Sequence, residues 1–182
     1  APADIFVSAA PKQMNELETK HLVNKSTRKN LVENELVIIT PKSSTITIRN
    51  YEDLTKDEIQ KVSIGETASV PAGQYAQEVL KKLGIWDQIK EKAVLAKDVR
   101  TVLTYVETGN VEAGIVYKTD AMFSTKINIA ATPPDGSHQP IVYPIAALSE
   151  SKQPKAAEDF LTYLNTPECK IIFEKYGFTV SK

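Results

Sequence analysis

Asp98-Val99-Arg100-Thr101-Val102-Leu103-Thr104-Tyr105-Val106-Glu107-Thr108-Gly109, followed by Ala113-Gly114-Ile115-Val116-Tyr117, is the stretch on which the fold turns. Asp98 is a favoured N-cap residue, because its short carboxylate can accept from the unpaired amides of a first helical turn. Val99, Val102, Leu103 and Val106 then fall on one face, and the helix stops near Gly109. The run Ala113 to Tyr117 has no polar alternation, which predicts a strand buried on both faces.

The same rhythm continues outward. Ile5-Phe6-Val7-Ser8 reads as a short buried strand, and Pro11 suits the first turn of a helix that carries Met14 and Leu17. Leu36 to Ile39 is a β-branched run stopped by Pro41, and Val62 to Gly65 is a strand ending in glycine. Tyr75, Val79, Leu80 and Leu83 form one helical stripe closed by Gly84, and a shorter helix begins at Trp86. Ile127 to Ala131 predicts another strand, before the turn Pro133-Pro134-Asp135-Gly136. Ile141 to Leu148 contains Pro144, so it is expected at an edge or in a crossover. Two helices close the chain, one on Ala156, Phe160 and Leu164 and one on Ile171, Ile172 and Phe173. Alternating strands and helices predict an α/β protein with a parallel sheet covered on both faces. The strands Leu36 to Thr40 and Ile141 to Leu148 flank an α/β block, which predicts a two-stranded hinge between two lobes.

Composition narrows the function. The 182 residues carry 22 Lys and Arg against 23 Asp and Glu, a formal net charge of −1. No basic face asks for nucleic acid. Cys169, His21 and His138 make a poor zinc inventory, and Cys169 lies in a helical pattern that suits a packed thiol. No apolar run approaches the length of a membrane span. Asp57 and Glu58 lie beside Lys56 in a polar run that reads as solvated surface, and neither histidine has a nucleophile pattern nearby. An enzyme acting on phosphate esters would need metal ligands that the sequence does not cluster.

Three places could hold an anion. Gly65-Glu66-Thr67-Ala68-Ser69-Val70-Pro71-Ala72-Gly73-Gln74-Tyr75 joins a strand to a helix through small residues. First-turn amides point outward there, and the helix dipole favours negative charge. The same composition also serves a plain βα loop, and it is neither a Walker A loop nor a Rossmann fingerprint. Lys97-Asp98-Val99-Arg100 is a second helix start, where Asp98 would leave the Val99 amide to a ligand, with Arg100 a secondary candidate. Tyr117 ends an apolar strand, where a phenol can donate to an oxyanion or simply pack.

Taken in order, these segments resemble the periplasmic molybdate-binding proteins of ABC importers. The resemblance rests on Gly65 to Tyr75, on Asp98-Val99-Arg100, and on Gly114-Ile115-Val116-Tyr117 with Thr119-Asp120-Ala121. Ala1-Pro2-Ala3-Asp4-Ile5-Phe6-Val7-Ser8-Ala9 and Lys175-Tyr176-Gly177-Phe178 agree as well, so it spans essentially the whole chain. It implies a non-catalytic, two-lobed type II binding-protein fold without a cofactor. The first lobe would comprise 1–39 and 143–182, and the second 40–142. It implies molybdate or tungstate held between the lobes by the amides of Ala72 and Val99 and the hydroxyl of Tyr117, acting as oxyanion donors and not as metal ligands. Sulfate or phosphate is the alternative ligand. It further implies an ABC permease as partner and a periplasmic or extracellular location, free or lipid-anchored.

Two first-lobe serines of that family lie on a segment expected upstream of Ala1, and Ser8 is not assigned their role. The chain is therefore expected to lack the N-terminal part of its first lobe. Phe6, Phe160, Ile171, Ile172 and Phe173 would then be partly open, and the truncated lobe would self-associate.

Overall fold

The computed structural model describes residues 3–180, so Ala1 and Pro2 of the N-terminal match lie outside the described residues. The chain forms two compact units, one running to Asn34 and resuming at Pro140, the other Glu35–Gln139. Each has its own sheet.

In the first unit, β1 (Ile5–Val7), α1 (Pro11–Thr19) and β2 (Lys29–Asn34) precede the crossing. After it come β8 (Ile141–Ala147), α6 (Pro154–Tyr163), α7 (Pro167–Lys175) and β9 (Thr179–Val180). The sheet order is β1-β8-β2-β9, with every pairing antiparallel. Alternate side chains of β8 feed opposite faces, as the pleat requires. Ile145 and Ala147 pack with Leu31, Val32, Ala157 and Leu161. Ala146 packs with Met14 and Val23 under α1.

The second unit contains β3 (Leu36–Pro41), β4 (Val62–Gly65), α2 (Pro71–Lys82) and α3 (Trp86–Glu91). It continues through β5 (Ala93–Ala96), α4 (Val99–Glu107), β6 (Ala113–Tyr117), α5 (Lys118–Ala121) and β7 (Ile127–Ala131). Its sheet order is β5-β4-β6-β3-β7. Val102 and Val106 of α4 are buried against Val37, Ile39 and Val116, so the stripe read from sequence faces the sheet.

Two expectations are corrected here. The sheets are not parallel throughout: β5, β4 and β6 run parallel, whereas β3 is antiparallel to both β6 and β7. β3 lies inside the second sheet and β8 inside the first, each inserted antiparallel between strands that run alike. They are the strands on which the chain enters each unit. Finally, β8 is central despite Pro144. Opposite it, β2 shifts register between Asn30 and Val32, so a bulge absorbs the missing donor. The Pro144 carbonyl still accepts from the Ser8 amide at 3.0 Å. Lys29–Asn34, Ala93–Ala96 and Thr179–Val180 are strands that the sequence reading did not assign.

Candidate functional site

Because β4, β5 and β6 are parallel, their carboxyl ends share one edge of the second sheet. The chain leaves that edge into α2, α4 and α5, so the three helix starts gather there. The Glu66 amide donates to the Ala96 carbonyl at 2.8 Å, tying the loop after β4 to the end of β5.

At the start of α2, Val70 is the N-cap and offers no side-chain acceptor. Its own amide donates to the Glu66 carbonyl at 2.8 Å, Pro71 has no N–H, and the Gln74 amide returns to the Val70 carbonyl at 3.0 Å. Ala72 and Gly73 remain in the first turn, where the helix has no carbonyl for their amides. The turn is close-packed: a Cβ on Gly73 would sit 2.1 Å from the Gly65 carbonyl oxygen. Glycine is therefore required by contact at this position, not by its φ angle.

α4 starts differently. The Asp98 carboxylate accepts from the Thr101 amide at 2.7 Å, and hydrogen bonds from Thr101 hold this carboxyl below the usual carboxylate range. The Val102 amide reaches the Asp98 carbonyl at 3.3 Å. Val99 and Arg100 keep first-turn amides that the helix itself does not use. Arg100 is exposed, and it borders a concavity of about 230 Å³ with Glu107, Asp120, Phe123 and Ser124. Burial pushes the Asp120 carboxyl above its ordinary range, while the charge of Arg100 opposes that shift.

Tyr117 closes β6, opposite Leu36 of β3, and is buried as the N-cap of α5. Ala72, Val99 and Tyr117 thus all stand at this edge, two at helix starts and one at a strand end.

The residues discounted from sequence have ordinary structural roles. The Ser8 hydroxyl donates to the Ala10 carbonyl at 2.6 Å. His21 (φ 56°) closes α1, with the Leu22 amide donating to the Leu17 carbonyl and the His21 amide to that of Glu18. His138 stacks edge-on to Tyr75 and lies beside the Gln139 carbonyl. Asp57 and Glu58 are exposed, and Cys169 is buried and free. Among the described residues, no group of three or more His, Cys, Asp or Glu could hold a metal. A concavity of about 380 Å³ in the first unit is lined by Asn15, Glu18, His21 and Arg28. Its charges are mutually engaged, since Arg28 bonds both Glu18 and Asn15.

Comparison with known proteins gives a consistent answer. The family described as bacterial extracellular solute-binding protein matches residues 1–179. The chain is 45% identical over 179 residues to YvgL of Bacillus subtilis (strain 168), whose name assigns it as an ABC transporter substrate-binding lipoprotein. That match takes in 98% of this chain and 68% of YvgL. Identity to molybdate-binding protein ModA of Haemophilus influenzae is 42%, over 98% of this chain and 71% of that protein. A solved substrate binding domain assigned to a molybdenum ABC transporter of Clostridium difficile superposes with TM-score 0.88 at 40% identity, covering 100% of this chain and 79% of that one.

Proposed function

This chain belongs to the bacterial extracellular solute-binding protein family, and on that premise we propose that it is the substrate-binding component of a molybdate ABC importer. The family binds solutes outside the cytoplasm and is not one of enzymes. In this proposal the ligand is molybdate, with tungstate as a close substitute. Its oxygens are taken by the Ala72 and Val99 amides and the Tyr117 hydroxyl. A membrane permease receives the ligand.

The observation that carries the reading is the gathering of two helix starts and a strand-end tyrosine at one sheet edge. A dianion leaving water must recover its hydrogen bonds, and neutral donors aimed at it supply them without a competing counter-ion. Such a set suits an anion with no proton of its own. Phosphate at neutral pH carries a proton and would also need an acceptor, whereas the nearby Asp98 carboxylate is engaged by Thr101. Sulfate meets the same donors and is separated from molybdate by size.

Titration calorimetry with molybdate, tungstate, sulfate and phosphate tests the reading. Molybdate and tungstate should bind far more tightly than the other two, and preference for sulfate would replace the assignment. Tyr117→Phe should weaken molybdate binding by about 0.5–3 kcal/mol, the range between neutral and charge-assisted hydrogen bonds. Its melting temperature should change little, since the ring is kept. Unchanged affinity would remove Tyr117 from the site.

We infer also that the helical face of the first unit is an association surface. Phe160, Tyr163, Ile171, Ile172 and Tyr176 are all exposed on or directly after α6 and α7, while Phe6 and Phe173 are half-buried. Sedimentation velocity should find a concentration-dependent dimer that Ile171→Lys abolishes. A monomer at every concentration would refute it.

A further inference from the structure

The sheet edge that gathers the candidate donors also carries a negative charge. Glu35 is the first residue of the second unit and immediately precedes β3, whose Leu36 pairs with Tyr117. Neighbouring strands lie about 4.8 Å apart, so Glu35 stands roughly one strand spacing from the Tyr117–Lys118 backbone. The Lys118 amide donates to the Glu35 carbonyl at 2.8 Å, and Lys118 Nζ meets Glu35 Oε2 at 2.9 Å. Main chain and side chain are therefore both fastened at the residue after the candidate ligand tyrosine. The Glu35 field is felt locally: burial first, and the Glu35 charge second, push the phenol of fully buried Tyr51 above its ordinary range.

Both side chains of the pair are a little over 40% exposed, so its contribution to stability is small. Its consequence for an anion is larger. A dianion held by neutral donors has no cation among them to offset a carboxylate at the same sheet edge, and such a charge is felt over about 8 Å, the screening length at physiological ionic strength. Asp98 also lies at this edge; hydrogen bonds from Thr101 keep its carboxylate ionised, and the charge of Lys97 offsets it.

Resting on the oxyanion reading above, we propose that Lys118 is an affinity-setting residue, cancelling the Glu35 charge at the edge that holds the anion. Lys118 need not touch the ligand. It acts through Glu35.

The test is molybdate calorimetry on wild type, Lys118→Gln, Glu35→Gln and the double variant, at low and high salt. Lys118→Gln should bind about tenfold more weakly at low salt, and high salt should shrink the defect. Glu35→Gln should bind as tightly as wild type or more so. The double variant should return to wild-type affinity, because the unbalanced carboxylate is gone. A merely structural pair would give a salt-independent loss that the double variant does not repair, and that pattern overturns the proposal. Wild-type affinity in Lys118→Gln overturns it too, and leaves the oxyanion reading standing. Failure of wild type to bind molybdate overturns both.

Discussion

Val99→Pro is expected to lower molybdate affinity roughly ten- to hundredfold while leaving the fold intact, since a hydrogen bond to a charged group is worth about 1.5–3 kcal/mol. Val99 is the first residue of α4, so its amide has no intrahelical partner to lose. Proline is favoured at that position, where its fixed φ of about −65° suits the helix. The residue before a proline must be extended, and Asp98 already is, at φ −159° and ψ 164°. The Asp98 cap on Thr101 does not involve the Val99 amide and should persist. The substitution thus removes one donor and little else. Val99→Ala, which keeps the amide, is the control and should bind nearly as wild type. If the two variants bind alike, the Val99 amide is not a donor.

Gly73→Ala should have the largest effect on stability. The added methyl would stand 2.1 Å from the Gly65 carbonyl oxygen and 2.5 Å from its carbon. Both are backbone atoms and cannot swing aside, so the β4 end and the α2 start must separate. Overpacking of this kind costs about 1–3 kcal/mol and sometimes more. For a chain of this size the melting temperature should fall by roughly 2–12 °C. Because Ala72 sits in the same turn, molybdate affinity should fall with it. By contrast, a Cβ on Gly114 would meet side-chain methyls of Val102 and Val106, at 3.1 and 2.7 Å. Those methyls can give ground, so Gly114→Ala should be the milder of the two. Differential scanning calorimetry of both variants decides, and a wild-type melting temperature for Gly73→Ala would mean that the loop absorbs the methyl.

Some of this architecture was legible in the residues because the signal is local. Asp98 and the Val99–Val106 stripe specify a capped, one-sided helix, and α4 runs over Val99–Glu107 with that cap in place. The run Ala113–Tyr117 can only be a strand with both faces covered, and all five residues are buried. Val99 was reached the same way, since an unused first-turn amide follows from where a helix starts, whereas Ala72 was singled out only by the family resemblance. Weak local signals were missed. β2 reads Lys-Asn-Leu-Val-Glu-Asn without clean alternation, β5 is four residues long with Leu95 exposed, and β9 is two residues.

The tertiary structure alone decided which strands are neighbours. A strand's sequence reports how deeply it is buried, but a hydrogen-bonded partner can come from anywhere in the chain. That is why β8 lies between β1 and β2, and β3 between β6 and β7, where alternation suggested parallel order. It is also why Pro144 sits in a central strand: the compensating bulge belongs to β2, more than a hundred residues away in sequence. The contact between Gly65 and Gly73 and the pairing of Glu35 with Lys118 are of the same kind. Helix starts can be read one segment at a time, whereas the edge that gathers them exists only once the sheet has formed.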